Sequence, residues 1–598
     1  MFTLRCHPGP SARLCRVLMV GPLMACTGGS GAAGTETQGG SSGSVTGVST
    51  AGETVGEIAS TGMMSDSGDG SSTGTTVATG VTATEGTTTE TQGSSATVTT
   101  EATEGTSGST TTTEGTTTEG TTTEGTTTEG TTTEGTFGST TEDVCPEGSE
   151  GCPCLPGEVC EDELVCVNGA CAMAGLSCGD GKLDPGETCD DGNELDYDGC
   201  TSSCDLTKVL DIDVAYYGGC VLLSGDAVRC WGGGLPSQLG YPSNKQGIGD
   251  DDLPGEFGPV VLGGPAVAVT AGGNHSCAIR EGGDVLCWGR ATDGQLGYGN
   301  TEQVGNDEDP ADAGPVKING VAISIHSSYH HSCTVLEGGD VRCWGFNSSG
   351  QLGLKHSKDV GDNEHPIAYP PVVLGESATA VAAGLNHSCA LLASQQIRCW
   401  GDNGSGQVGV VGAAKIGISD HPGDHPPLAF TGVSAVSAGH RHSCAITTGG
   451  ALRCWGDNDY GQTGHGNTYE IGKLKSPDTL PPVQVGGKVL QISSGNNHNC
   501  ALLEGGDVRC WGRNNYGQLG LGHTTNIGDD EHPKDVPPIK LGAPAIKVVA
   551  GYYHSCALLE GGSVRCWGLN DSGQLGLGNT VQIGDDEHPE DVGLVQFF

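Results

Sequence analysis

Basic residues are scarce in this sequence: 26 Lys and Arg stand against 72 Asp and Glu in 598 residues, a formal net charge of −46. A chain so acidic repels nucleic-acid phosphates and anionic lipid headgroups, which argues against DNA binding, RNA binding and adsorption to membrane surfaces. Long apolar runs are missing as well. Only VLMVGPLMA, behind Arg5, Arg13 and Arg16 and ending at Cys26, has the character of an export signal, and nothing after it could span a bilayer. From Thr27 to Asp143 the chain has no Lys or Arg at all and scarcely an aromatic residue. Built of Thr, Gly, Ser and Glu, this stretch buries too little apolar surface to offset chain entropy and is expected to be disordered. Within it TTTEG recurs five times in tandem between Thr111 and Gly135, which is low complexity and not a folded repeat. A flexible chain of that length spans about 60 Å root-mean-square, and more under glutamate repulsion, so it reads as a tether.

What the chain has in quantity is cysteine and glycine, 27 and 105 residues. So many regularly spaced cysteines point to disulfides formed outside a reducing cytosol. Leu23-Met24-Ala25-Cys26 resembles the lipobox of bacterial lipoproteins, which implies cleavage before Cys26 and a diacyl anchor on its sulfur; the alternative is an ordinary cleaved signal. The expected location is extracellular or the bacterial cell envelope, as an outer-membrane lipoprotein, with membrane contact only through that anchor. The chain then divides into a signal (1–26), a disordered linker (27–143), a Cys-rich module (144–204) and a repeat domain (205–598).

The module places ten cysteines between Cys145 and Cys204, where staples replace a core too small to hold by itself. Its second half, CGDGKLDPGETCDDGNELDYDGCTSSC, resembles the short Cys-rich repeat of secreted myxobacterial proteins through its CGDG opening, GE-x-CDDGN core and DGC-x-x-x-C close. Four cysteines there allow three pairings, and spacing does not choose among them. Asp190, Asp191, Asn193, Asp196 and Asp198 offer the oxygen density that calcium uses, though not at EF-hand spacing. The competing reading makes them turn residues that favour loop conformations.

Self-similarity organises the rest. All seven tryptophans (Trp231, Trp288, Trp344, Trp400, Trp455, Trp511, Trp567) belong to Cys-Trp-Gly motifs recurring every 55 to 57 residues, each followed by a Gly-Gln-Leu-Gly-like element. A second cysteine lies ten positions before each motif cysteine: Cys220 before Cys230, Cys277 before Cys287, Cys333 before Cys343, Cys389 before Cys399, Cys444 before Cys454, Cys500 before Cys510 and Cys556 before Cys566. Around HSCALLEGGDVRCWG, two apolar runs flank Gly-Gly as a hairpin, and VxVxAG and PVxLG-like runs upstream supply two more strands. Cysteines ten apart face each other across a three-residue loop centred midway, and six of the seven midpoints are glycine. At a non-hydrogen-bonded rung such a pair lies close enough for a disulfide. The expected fold is therefore all-β: a seven-bladed β-propeller of four-stranded blades, with seven intra-blade disulfides. The first repeat lacks a PVxLG run and the chain ends on a spare one, Gly593 to Phe598, which is expected to complete the first blade.

The residues G-x-x-H-x-C-A-L, D-V-x-C-W-G and G-Q-L-G resemble repeats of the regulator-of-chromosome-condensation family over residues 208–598. The resemblance implies the propeller fold. It implies little about activity, because the founder is a nuclear guanine-nucleotide exchange factor while secreted bacterial members include a β-lactamase inhibitor. Recurring His275, His331, His387, His442, His498 and His554 read as one structural hydrogen bond per blade and not as a metal ring. No histidine is paired with a nucleophile in a way that sets it apart from the other five. Acidic runs between blades should crowd one rim: Asp250 and Asp251, Asp307 and Glu308, Asp362 and Glu364, Asp529 and Asp530, Asp585 and Asp586. They read either as a docking surface for a basic or cation-bridged partner or as solvation. The expected function is a monomeric, surface-tethered binding protein whose loops recognise a protein or a glycan, with no catalytic residue and no cofactor beyond the calcium reading. The alternatives are guanine-nucleotide exchange by family analogy, and an extracellular enzyme with its site in the channel, which would need a repeat-breaking polar cluster.

Overall fold

The computed structural model describes residues 164–167 and 170–173 by their backbone and, from Cys178 onward, every residue except 180, 184–186, 194, 235 and 243–246. Cys26, the linker and the side chains of the first six module cysteines lie outside the described residues.

Each repeat folds around its hairpin. The second strands (Gly218–Leu223, His275–Arg280, His331–Leu336, His387–Leu392, His442–Thr447, His498–Leu503, His554–Leu559) are buried almost end to end, because neighbouring sheets cover both faces. Each pairs on one side with a first strand (Val209–Val214, Ala266–Ala271, Ala322–Ser327, Ala378–Ala383, Val433–Ala438, Val489–Ser494, Ala545–Ala550). On the other side it pairs with a third (Val228–Gly232, Val285–Gly289, Val341–Gly345, Ile397–Asp402, Leu452–Gly456, Val508–Gly512, Val564–Gly568). Seven antiparallel sheets, blades 1 to 7, follow in chain order, and no α-helix occurs among the described residues.

The two cysteines of every hairpin are direct cross-strand partners. Cys220 is bridged to Cys230, Cys277 to Cys287, Cys333 to Cys343 and Cys389 to Cys399, with Cα atoms 4.0 to 4.1 Å apart. Cys444 is bridged to Cys454, Cys500 to Cys510 and Cys556 to Cys566 over the same distance, 4.0 to 4.1 Å. The hydrogen-bond pattern explains the close approach. Leu223 donates its N–H to Ala227, and alternation then leaves Cys220 and Cys230 at a non-hydrogen-bonded rung, where strands come nearest.

The midpoint glycine is left-handed in five copies (Gly225, Gly282, Gly338, Gly505, Gly561), as expected, but not at Gly449. A second left-handed residue, the one after the midpoint, recurs in all seven (Asp226, Gly283, Gly339, Gln395, Gly450, Gly506, Gly562). That residue is fixed by the next blade: its carbonyl accepts the N–H of the following first strand, from Ala266 N to Asp226 O round to Val209 N to Gly562 O. The last link joins blade 7 to blade 1.

Among the described residues only blade 4 has a fourth strand, Lys415–Ile416, and the other six blades show three. The PVxLG run, expected as a first strand, instead lies along the third strand of the preceding blade. There it makes one backbone bond per copy with that strand, such as Val260 N to Val228 O and Ile539 N to Val508 O. The terminal run obeys the same rule: Val595 donates to Val564 of blade 7, not to blade 1. It still bridges the seam. Gln596 O accepts from Gly255 N, Arg229 of blade 1 binds Phe597 O, and the Phe597 ring packs 5.2 Å from Trp231.

Blade-to-blade cohesion is a repeated polar network inside an apolar core. The Gln295 carbonyl of blade 2 accepts the Trp344 indole at 2.9 Å and the Ser332 hydroxyl at 3.4 Å, both from blade 3. Since Ser332 Oγ spends its proton there, it accepts from His275 Nε2 at 2.8 Å, which fixes the neutral Nε2–H tautomer. Blade 6 carries Asn499 in place of serine, with Nδ2 donating to Gln462 O and Oδ1 facing His442 Nε2. Blade 1 breaks the pattern with Gly218 and Gly219, so among the described residues neither His554 Nε2 nor the Trp288 indole has a partner. Burial holds His275, His387 and His498 down at about 3 and His442 and His554 at about 4.

In the Cys-rich module Leu164–Val167 pairs with Ala170–Met173, and disulfides join Cys178 to Cys204 and Cys189 to Cys200. Asp196 packs against Gly225 of the first hairpin, and Gly199 O accepts from Thr207 N.

Three outcomes follow. Non-reducing peptide mapping should return only i/i+10 pairs from the propeller; a bridge between blades contradicts the register. Phe597→Ala should lower stability by about 3 kcal/mol in guanidinium titration, as for a buried aromatic truncated to alanine. Finally, a histidine held neutral in the fold but titrating near 6.5 when unfolded contributes stability above pH 6.5 that is lost as pH falls toward 3 to 4. The three glutamates pushed up to about 7 by burial and neighbouring aspartates (Glu308, Glu531, Glu587) act oppositely, gaining stability from pH 7 down to 4.5. Six buried histidines outweigh them, so the unfolding midpoint should drop steadily between pH 6 and 4, and a flat profile contradicts the assignment.

Candidate functional site

First strands line the central channel, because they are the innermost strand of every blade, and they enclose a cavity of about 120 Å³. Alternate residues of these strands face it, and most are Ala, Ser or Thr. Six break that pattern: Val549, and the polar Asp211, Asp213, His326, Gln491 and Lys547. Lys547 pairs with Asp211 across the seam, and Asp213 Oδ2 accepts from the Thr270 hydroxyl at 2.9 Å and from Ala271 N at 3.0 Å. His326 Nδ1 accepts from Ala383 N at 3.3 Å; burial lowers its pKa, nearby Asp213 raises it, and Lys547 lowers it. Sequence reasoning missed this cluster, because its search centred on the recurrent histidines. The available signal was a charged residue at the alternating positions of an otherwise apolar strand. The bonds this group makes among the described residues run between blades.

At one end the channel meets the turns between first and second strands. Tyr216, Tyr329 and Tyr552 converge there from blades 1, 3 and 7, with ring centroids 4.0 to 6.3 Å apart, and His440 lies 5.8 Å from Tyr552. Around them Tyr217, Tyr553 and Tyr516 extend the patch, with Tyr516 and Tyr553 5.0 Å apart. The Arg513 guanidinium sits 5.0 Å from the Tyr460 ring and 5.3 Å from Tyr553. Seven of the chain's 12 tyrosines gather on this face, all half-buried. Burial and the neighbouring phenols push Tyr216 and Tyr552 far above the usual phenol range, so both stay uncharged.

The acidic loops open onto the same end. In blade 7 Gly568, last residue of the third strand, bridges Ile583, and Asp585 follows two residues later; Ile248 and Val304 occupy the equivalent place before Asp250 and Glu308. Within Asp250-Asp251-Asp252, Asp529-Asp530-Glu531 and Asp585-Asp586-Glu587 the carboxylates lie within 4.8 Å of one another. Part of this acidity is structural, since Asp252 accepts from Gly249 N, Asp420 from Gly417 N and Glu587 from Gly584 N. The Asp307 and Asp362 loops complete the expected set, while the blade 5 loop carries Lys473 and Lys475 and interrupts it.

The module's acidic residues turn inward to backbone donors. Asp190 Oδ1 accepts from Gly181 N and Gly192 N, Asp191 Oδ2 from Cys200 N, and Asp196 Oδ1 from Ser202 N. Asn193 Nδ2 donates to both Asp191 and Asp198. These bonds cap turns.

Known proteins resemble the repeat domain. Ultraviolet-B receptor UVR8 of Arabidopsis thaliana is 31% identical over 390 residues, covering 62% of this chain and 80% of that protein. The secretion-regulating guanine nucleotide exchange factor of Bos taurus is 28% identical over 386 residues, covering 60% and 77%. Prp20p from Saccharomyces cerevisiae aligns structurally at a TM-score of 0.48 and 20% identity, over 60% of this chain and 85% of that one. Residues 221–596 match the RCC1-like domain, and with these blades, hairpins and inter-blade contacts the chain belongs to that family.

Proposed function

We propose that this protein is a secreted, surface-tethered protein-binding platform: a lipid anchor at Cys26, a flexible linker, a stapled spacer and a closed seven-bladed ring presenting its tyrosine-bearing face. The observation that carries the reading is the concentration of half-buried aromatics on one face of a rigid scaffold. Aromatic side chains give large contact area at low entropic cost and are enriched where proteins bind proteins. Loops on rigid elements are where recognition commonly resides. In the channel, Asp213 and His326 are taken up by bonds between blades, which favours recognition over chemistry.

Immobilised, oxidised protein should retain a defined set of envelope proteins, and Tyr216→Ala/Tyr552→Ala should lose most of that set with the unfolding midpoint nearly unchanged. An identical set on the variant, or none on either, contradicts the platform. Cys26→Ser should abolish palmitate labelling of the full chain, and absence of label in the wild type ends the anchor proposal.

A further inference from the structure

The tyrosine face carries information about the charge of what it binds. The flat faces of phenol rings are the negative poles of their quadrupoles, so a cluster of half-buried rings at a surface attracts cations. This face already holds one: Arg513 rests between Tyr460 and Tyr553, at 5.0 and 5.3 Å from their centroids. Tyr216, Tyr329 and Tyr552 form a second group of rings with no such occupant among the described residues. Their surroundings are acidic. Asp293, Asp457 and Asp571 follow the Cys-Trp-Gly motifs at this end, Asp293 lying against His330 and Arg290 beside Tyr329. The carboxylate triplets come further out at the same end, after the segments that bridge the last residue of the third strands. Residues 205–598 together hold 42 acidic and 22 basic side chains, a net of −20. A neutral aromatic centre inside an acidic frame is the complement of a protruding cationic segment.

We infer that the channel-mouth tyrosines receive an arginine- or lysine-bearing loop of a partner protein, stacking its cations on the rings while the outer carboxylates steer it in. This inference rests on the platform reading and narrows it to one chemistry. Arginine is preferred over lysine, because its planar guanidinium stacks as Arg513 does. The steering contribution is screened by salt, whereas stacking is less so.

The test uses the full, oxidised chain and short synthetic peptides of about a dozen residues, rich in Arg, in Lys or in Glu, measured by calorimetry at low salt. The Arg peptide should bind best and the Glu peptide not at all. Tyr216→Leu/Tyr552→Leu, which keeps apolar bulk but removes the quadrupole, should weaken the Arg peptide about tenfold or more. Asp585→Asn/Asp586→Asn/Glu587→Gln should weaken it a few-fold and flatten its salt dependence. Arg513→Gln vacates the Tyr460 and Tyr553 faces and should strengthen binding several-fold, a gain that misfolding cannot imitate. Equal binding of the Glu peptide, no effect of the leucine variant, or Tyr-dependent binding of a neutral glucan oligosaccharide instead of the peptides overturns the inference. If envelope proteins are still captured through the tyrosines but the Arg peptide does not compete, the platform stands and its cationic specificity falls. If nothing is captured through the tyrosines, the platform itself falls.

Discussion

The ring is held by what the tryptophan of each blade does to the blade before it. At the second Gly of Gly-Gln-Leu-Gly the absent side chain leaves room for an indole: a Cβ on Gly297 would stand 3.0 Å from Trp344 Nε1, and one on Gly576 3.1 Å from Trp231 Nε1. The neighbouring glutamine carbonyl accepts the indole N–H in six of the seven junctions. A large apolar body and its one polar atom are thus accommodated in a single contact, and every tryptophan is fully buried. The His–Ser–Gln relay, the hairpin stitch and the proline-bearing strap all converge on this junction. None of them would find its register if adjacent blades slid by one residue.

Much of this was legible before any coordinates. Cysteines ten apart with a turn between them specify a hairpin rung, as Cys277 with Cys287 and Cys444 with Cys454 show, and seven copies of Cys-Trp-Gly specify the repeat, because both signals are local and periodic. The fate of the PVxLG run was not legible. Its apolar pattern suits a strand, but it makes a single ladder bond, and which neighbour receives that bond is a tertiary matter. The tyrosine face escaped for another reason. Tyr216, Tyr329 and Tyr552 are separated by more than a hundred residues at each step, and each alone looks like an ordinary turn residue; only ring closure brings them within stacking distance.

The channel shows how a repeat protein acquires individuality. Identical blades would give a symmetric bore of small residues. Asp211, Asp213, His326, Gln491 and Lys547 instead make specific junctions unlike the others, and the Lys547–Asp211 pair falls where blade 7 meets blade 1. At that junction the imidazole relay is absent, since Gly219 offers no hydroxyl to His554. A charge pair and the Phe597–Trp231 contact stand in for it.

Every propeller disulfide closes within its own hairpin, so no covalent link crosses from blade to blade. The consequence is mechanical. Blade 1, where Gly218 and Gly219 leave the His–Ser relay unmade on both sides, grips its neighbours with the fewest relays, so a ring pulled apart opens beside it and separates into intact, cross-linked clasps, each able to dock again.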